Sequence, residues 1–183
     1  MKSVKAGVCF VVLAAVIGLG VLYSGIYPMG ADVPHNRLTF WVLETLRERS
    51  IARASADIVV PPLGTPAQLL AGGADYNAMC ATCHLKPAKT ASDFSVGLYP
   101  VPPNLSMAAK SDGNKEDAAR RQFWIIKHGI KASGMPAWGK THEDARIWAM
   151  VAFLQRLPEL TPVQYQIITA QSGDEHVESS EHH

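Results

Sequence analysis

The feature that most constrains the fold is the run Cys80-Ala81-Thr82-Cys83-His84. Two cysteines at this spacing lie on one helical turn, so both thiols reach the edge of the same planar ligand. The adjacent His offers its imidazole from the same side. This C-x-x-C-H pattern is typical of covalent c-type haem attachment, in which the thiols add to the two vinyl groups and the His binds the iron. The sequence therefore predicts one covalently attached haem c, with Cys80, Cys83 and His84 binding it and His84 as an iron ligand.

Two other readings of a C-x-x-C pair are less well supported. A redox-active pair of the thioredoxin kind follows a β-strand and does not need the His, whereas the segment before Cys80 is predicted to be helical. A four-ligand zinc site needs a second close pair of ligands. No cysteine follows Cys83, and no H-x₃₋₅-H pair follows it within the domain. Haem attachment remains the interpretation that uses all three residues.

Composition excludes several classes of protein. Hydrophobic residues make up 48% of the 183 residues and charged residues 18%, which is typical of a folded chain. The formal net charge of +1 argues against a nucleic-acid partner, since phosphate neutralisation needs a strongly basic surface. Three cysteines are too few for a disulfide-based scaffold.

The N-terminus contains an uncharged apolar run from Ala6 to Tyr27. As a helix this run is about 33 Å long, enough to cross a bilayer core. We therefore predict a transmembrane anchor over residues 6–27. Lys2 and Lys5 precede it, which predicts cytoplasmic residues 1–5, a single pass through the inner membrane and a periplasmic haem domain. The competing reading, a cleaved signal peptide, normally has a shorter apolar region of about 7–15 residues.

The rest of the chain divides into three parts. Residues 28–65 are predicted to be a linker, bounded by Pro and Gly, with a helix at about 36–56. This helix has three possible environments: the lipid interface, the surface of the haem domain, or a neighbouring membrane subunit. Residues 66–160 form the predicted haem domain, and the acidic residues 161–183 a disordered tail.

A haem that only transfers electrons needs a second axial ligand. The candidates are Met107, Met135, Met150, His128 and His142. Met135 is favoured because it lies in a loop between two predicted helices, where Gly134 permits close approach and Pro136 stiffens the backbone. Met150 lies in an apolar helix and is predicted to be a core residue. His128 is expected to end one helix and His142 to begin the next.

Residues 66–158 resemble a class I cytochrome c. Gly72 and Tyr76 stand eight and four positions before Cys80, where that family has the Gly and the aromatic residue that pack against its C-terminal helix. Phe153 is the matching aromatic residue on that helix. The resemblance implies that the carbonyl of Pro103 accepts a hydrogen bond from His84, which orients the imidazole. It also implies an all-α class I cytochrome c fold of three to five helices around one covalently bound haem, here preceded by a transmembrane helix and a helical linker.

The tryptophans are further candidates for the haem pocket. Trp124, Trp138 and Trp148 are expected to line or flank it, with one indole N–H reaching a propionate, and Trp124 is chosen as a cofactor-binding residue. Packing in the core is an equally good reading for each of them.

The resemblance implies one-electron transfer in a bacterial respiratory chain, by an electron carrier and not an enzyme. Expected partners are the membrane and redox proteins (an oxidase, a reductase or a quinol-oxidising complex), with neither nucleic acid nor a small-molecule substrate. Four lysines near the haem motif and the Met135 loop are candidates for steering an acidic partner, or are simply solvated: Lys86, Lys89, Lys127 and Lys131. Two alternatives remain open. One is a haem subunit fixed in a larger membrane oxidoreductase, and the other is a haem enzyme or gas sensor with an open sixth position.

Overall fold

The computed structural model describes residues 2–107 and 114–170, and these contain helices and no strands. The chain forms two compact units, residues 1–34 and residues 35–183. The absence of strands among the described residues agrees with the all-α prediction.

The first unit contains helix α1, Lys2–Ser24. Its segment Val4–Ser24 is long and apolar enough to cross a membrane. The helix ends three residues before the predicted end of the anchor, because Gly25 adopts a left-handed conformation with φ of +65°. Ser24 Oγ also accepts a hydrogen bond from the Ile26 amide at 3.2 Å, outside the helix. Gly at this position is a common helix terminator.

The second unit begins with helix α2, Arg37–Ser55, close to the predicted range 36–56. Asn36 caps it, since its side chain accepts a hydrogen bond from the Thr39 amide at 2.9 Å. The helix packs against α6, Lys115–His128. Arg121 of α6 pairs with Glu48 of α2. Of the three environments considered for this helix, the structure shows contact with the haem domain.

Helix α3, Pro66–Asp75, starts in a capping box of Thr65 and Gln68 and continues as a π-helical turn, Tyr76–Cys80. A short helix α4, Ala81–His84, carries the end of the C-x-x-C-H motif. After it come α5, Asp93–Gly97, and then α6. Helix α7 spans Asp144–Arg156.

Helices α3 and α7 form the centre of the domain. A Cβ atom at Gly72 would lie 2.0 Å from the carbonyl oxygen of Ala149, so the two backbones approach as closely as only glycine allows. The buried rings of Tyr76 and Phe153 lie 5.4 Å apart. The predicted contact of Tyr76 with Phe153 is therefore confirmed, whereas Gly72 meets the same helix at the Ala149 carbonyl and not at Phe153. This packing fixes the position of the haem motif that follows Tyr76.

The C-terminal segment differs from the predicted tail. Residues Pro162–Ala170 form a helix, α8, which packs on α3. Tyr165 is buried against Tyr76, and its hydroxyl donates to Asn77 Oδ1 at 3.0 Å. Ile168 also packs against the core. The prediction of a disordered tail rested on the acidic residues that follow this helix. The tail predicted for residues 171–183 lies outside the described residues.

Candidate functional site

A cavity of about 460 Å³ lies in the second unit, and both cysteines and the histidine of the haem motif line it. Its lining is mostly apolar, and the described residues on it include Met79, Cys80, Cys83, His84, Leu98, Pro103, Leu105, Ile125, Ile126, Ile130, Met135 and Trp138. The volume and apolar character are typical of sites for cofactors. Five of the six residues that the sequence selected are therefore in one place: Cys80, Cys83, His84, Pro103 and Met135.

Cys80 and Cys83 do not form a disulfide with each other. Burial raises the pKa of Cys80 to about 12, and the carboxylate of Asp75 adds to this effect. A redox-active C-x-x-C needs a thiol with a lowered pKa, because the thiolate is the nucleophile. The electrostatics of Cys80 thus argue against a thioredoxin-like role.

His84 is oriented by a hydrogen bond between its Nδ1 and the carbonyl oxygen of Pro103, 2.9 Å apart. A carbonyl can only accept, so Nδ1 carries the proton and the lone pair of Nε2 is left for a metal. Burial lowers the pKa of His84, although the bond to Pro103 opposes this. The imidazole is thus kept neutral, as an iron ligand must be. This is the outer-shell bond that the sequence predicted.

The turn after His84 is held by a buried tyrosine that the sequence linked only to helix packing. Leu85 has a left-handed φ of +68°, which is costly for a residue with a branched side chain. The Tyr76 hydroxyl donates to the Leu85 carbonyl at 2.6 Å, and the amide of Leu105 donates to the His84 carbonyl at 3.1 Å. These two hydrogen bonds, one from a side chain and one from the backbone, tie the His84 turn to the surrounding core.

Met135 lies in the Met loop, residues 133–136, between α6 and α7. Its amide donates to Ser133 Oγ at 3.1 Å, and its carbonyl accepts from the Ile130 amide at 3.1 Å. Gly129 ends α6 with φ of +66°, and a Cβ there would lie 2.7 Å from the Met135 carbonyl oxygen. The loop is thus fixed by its own hydrogen bonds and by contact with Gly129.

The other candidates for the sixth ligand do not line this cavity. Met150 is buried in the core, and Met107 is exposed. His128 is exposed at the end of α6. His142 Nε2 lies 3.3 Å from the sulfur of Met79. Met79 lines the cavity and His142 does not, so His142 contacts a lining residue and not the cavity itself.

The tryptophans separate on structural grounds. Trp138 lines the cavity, and Trp124 does not. Trp124 packs beside His128, with ring centroids 5.0 Å apart. Successive helical residues are rotated by about 100°, so Ile125 and Ile126 on α6 reach the cavity where Trp124 does not. The cofactor-binding role predicted for Trp124 therefore rests on the sequence alone.

Sequence reasoning missed the contribution of α2 to this cavity. Phe40, Glu44 and Arg47 of α2 line it, together with Arg121 of α6. The spacing 40, 44 and 47 places these three residues on one helix face. That spacing was visible in the sequence, but nothing local indicates what this face covers.

The arrangement fits haem c. Two cysteine side chains, a neutral imidazole with an available Nε2 and a thioether line one apolar cavity. No cluster of three or more His, Cys, Asp and Glu side chains suited to a metal ion occurs in residues 2–107 and 114–170, so the zinc reading gains no support there. The iron of a haem needs only the two axial ligands that the chain would provide.

Comparison with known proteins gives one match. Residues 67–154 match the family described as cytochrome c oxidase, cbb3-type, subunit III. No curated protein and no solved structure matches the chain. The matched range begins at α3, ends within α7 and contains the haem motif, Pro103 and the Met loop. Residues 67–154 are thus a monohaem class I cytochrome c domain, which carries covalently bound haem c and serves haem-based electron transfer.

Proposed function

We propose that this protein is a membrane-anchored electron carrier in which His84 and Met135 are the axial ligands of the haem iron. It delivers electrons within a bacterial respiratory chain to a terminal oxidase or a periplasmic reductase. The observation that carries the proposal is the shared cavity of Cys80, Cys83, His84 and Met135.

Each residue has a defined task in this proposal. The haem, when bound, supplies a one-electron iron couple. The Pro103 carbonyl holds the His84 ring with Nε2 directed away from the hydrogen-bonded Nδ1. Ser133 and Gly129 hold the Met loop in place. The apolar lining excludes water, and Met/His ligation with burial gives a high reduction potential. A fixed pair of ligands also limits structural change between the two oxidation states.

The anchor gives the proposal its location. Helix α1 is a candidate membrane span, and Lys2 and Lys5 at its start favour a cytoplasmic N-terminus. The haem domain then lies in the periplasm, where redox partners meet it. Lys131 is exposed beside the Met loop, whereas Lys127 is paired with Asp144. Lys131 is therefore the better candidate for steering an acidic partner.

The test is an optical spectrum of the full chain, produced with haem attached, in both oxidation states and with carbon monoxide. We expect the ferric protein to show the sulfur-to-iron band and the ferrous protein to resist carbon monoxide. Met135→Ala should lose both properties. Met107→Ala is the matched control, because Met107 is exposed and outside the cavity, and it should keep both.

One result would contradict the proposal. Wild type that binds carbon monoxide as readily as Met135→Ala would remove Met135 as the ligand. The protein would then belong with haem enzymes or gas sensors that have an open sixth position.

A second candidate function is a haem subunit fixed in a larger membrane oxidoreductase. Helix α2 favours it, because Leu38, Trp41, Val42 and Leu46 are exposed apolar residues on this helix. The matched family is also described as an oxidase subunit. A fixed subunit should co-purify with oxidase activity from mild detergent, and Leu38→Ser with Leu46→Ser should release it. A mobile carrier should elute alone in both cases.

A further inference from the structure

Helix α2 lies outside the segment that matches the cytochrome family, residues 67–154, yet it forms one wall of the cavity. Phe40, Glu44 and Arg47 line the cavity from a single face of α2. The contact has a structural basis, because α2 is also tied to α6 through the Arg121–Glu48 pair and through Arg120, which donates to the Ala56 carbonyl at 2.9 Å. A linker would not be expected to have this role.

The charges at this wall form the α2–α6 charge cluster, which consists of Glu44, Arg47, Glu48 and Arg121. Arg47 Nη2 pairs with Glu44 and, at 3.1 Å, with Glu48 Oε1. Arg121 Nη2 lies 2.9 Å from Glu48 Oε2. Two acids and two bases balance each other here. All four side chains are partly exposed, between 29% and 41%. They thus have access to solvent and room to change partners.

A haem brings two carboxylates of its own, the propionates, on the half of the ring that does not carry the vinyl groups. Cys80 and Cys83 fix the vinyl half. Among the described residues that line the cavity, Arg47 and Arg121 are the only Lys or Arg side chains. A guanidinium binds a carboxylate through two parallel hydrogen bonds, which makes Arg the preferred partner for such a group.

We propose that Arg47, with Arg121 beside it, binds a haem propionate, so that α2 is a part of the haem site. This inference rests on haem occupying the cavity as described above. The sequence suggested a tryptophan for this role, but Trp124 does not reach the cavity.

The cation should affect the reduction potential. A positive charge near the haem favours the ferrous state, which carries one positive charge fewer. Removing it should lower the equilibrium constant for reduction about tenfold, equivalent to about 59 mV for one electron. The propionate-bending band of the resonance Raman spectrum should shift as well, because the carboxylate loses its hydrogen-bond donor.

The experiment compares the full-length haem protein with Arg47→Gln, Arg47→Lys and Arg49→Gln. Arg49 is exposed on the same helix and does not line the cavity. A pyridine haemochrome assay first measures the attached haem, and then potentiometric titration and Raman spectra are recorded. We expect Arg47→Gln to shift both readouts, Arg47→Lys to restore most of the potential, and Arg49→Gln to match wild type.

The outcomes separate the two proposals. Wild type without covalent haem would refute the function proposed above. If haem-loaded Arg47→Gln has the same reduction potential and the same Raman spectrum as Arg49→Gln, the role of Arg47 is refuted. The proposed function would be unaffected by that result. If Arg47→Gln loses its haem, the attached haem of Arg47→Lys decides the result. Haem kept by Arg47→Lys supports the role of the positive charge, and haem lost from Arg47→Lys as well refutes it.

Discussion

Gly129→Ala should detach the Met loop from the haem iron. Gly129 has φ of +66°, and a Cβ there would lie 2.7 Å from the Met135 carbonyl oxygen and 2.7 Å from the Pro136 carbonyl carbon. Carbon atoms in ordinary contact are about 3.5 Å apart, so the backbone that carries Met135 must retreat by roughly 0.8 Å. An alanine at φ of +66° and ψ of −170° costs about 1–3 kcal/mol in backbone strain, and the collision adds about 1–3 kcal/mol.

Gly64→Ala is the matched control for this prediction. Gly64 also has a positive φ, +96°, but a Cβ there meets nothing within 4 Å. It therefore has the backbone strain without the collision. Urea unfolding should show the larger loss of stability in Gly129→Ala. Of the two variants, only Gly129→Ala should bind carbon monoxide in the ferrous state. Only Gly129→Ala should lose the sulfur-to-iron band in the ferric state.

This prediction is wrong if Gly129→Ala keeps the band, resists carbon monoxide and unfolds with the same free energy as Gly64→Ala. The Met loop would then accommodate the methyl group without moving its sulfur. Backbone contact with Gly129 would not determine the position of the ligand.

Two further predictions concern the core. Gly72→Ala places a Cβ 2.0 Å from the Ala149 carbonyl oxygen and must separate α3 from α7. We expect the free energy of unfolding, measured in urea, to fall by about 3 kcal/mol or more. The control Gly97→Ala has open space around it and should change this free energy by less than about 1 kcal/mol. Burial raises the pKa of Tyr165 to about 12, so the unfolded state loses this proton first and stability should fall as pH rises from about 10 to about 12; Tyr165→Phe should flatten this fall, and an equally steep profile in the variant would contradict it.

The haem motif is a case in which local sequence was sufficient. Attachment needs two thiols and an imidazole on adjacent turns, and residues 80–84 supply all three within five positions. The end of helix α6 at His128 was likewise predicted, because Gly129 follows it and adopts a φ of +66°, which stops the helix. The selection of Met135 relied on a loop between two helices, which Gly and Pro mark in the sequence.

Helices α2 and α8 show where sequence was insufficient. Each has an apolar residue that could face lipid, solvent or a core, and the sequence around it is compatible with all three. Tyr165 is buried because Tyr76 and Phe153 leave room for a third ring. Phe40 and Arg47 reach the cavity because α2 packs on α6.

The sequence by itself determined the cofactor and the helical class, and it predicted the proximal ligand, because these depend on residues that are neighbours along the chain. Only the tertiary structure decided that α2 lines the cavity beside Cys80, Cys83 and His84, that Trp138 and not Trp124 lines it, and that α8 packs on the core. These contacts join segments far apart in sequence. Their free energy comes from burying surfaces against each other, and no local pattern records which surfaces will meet.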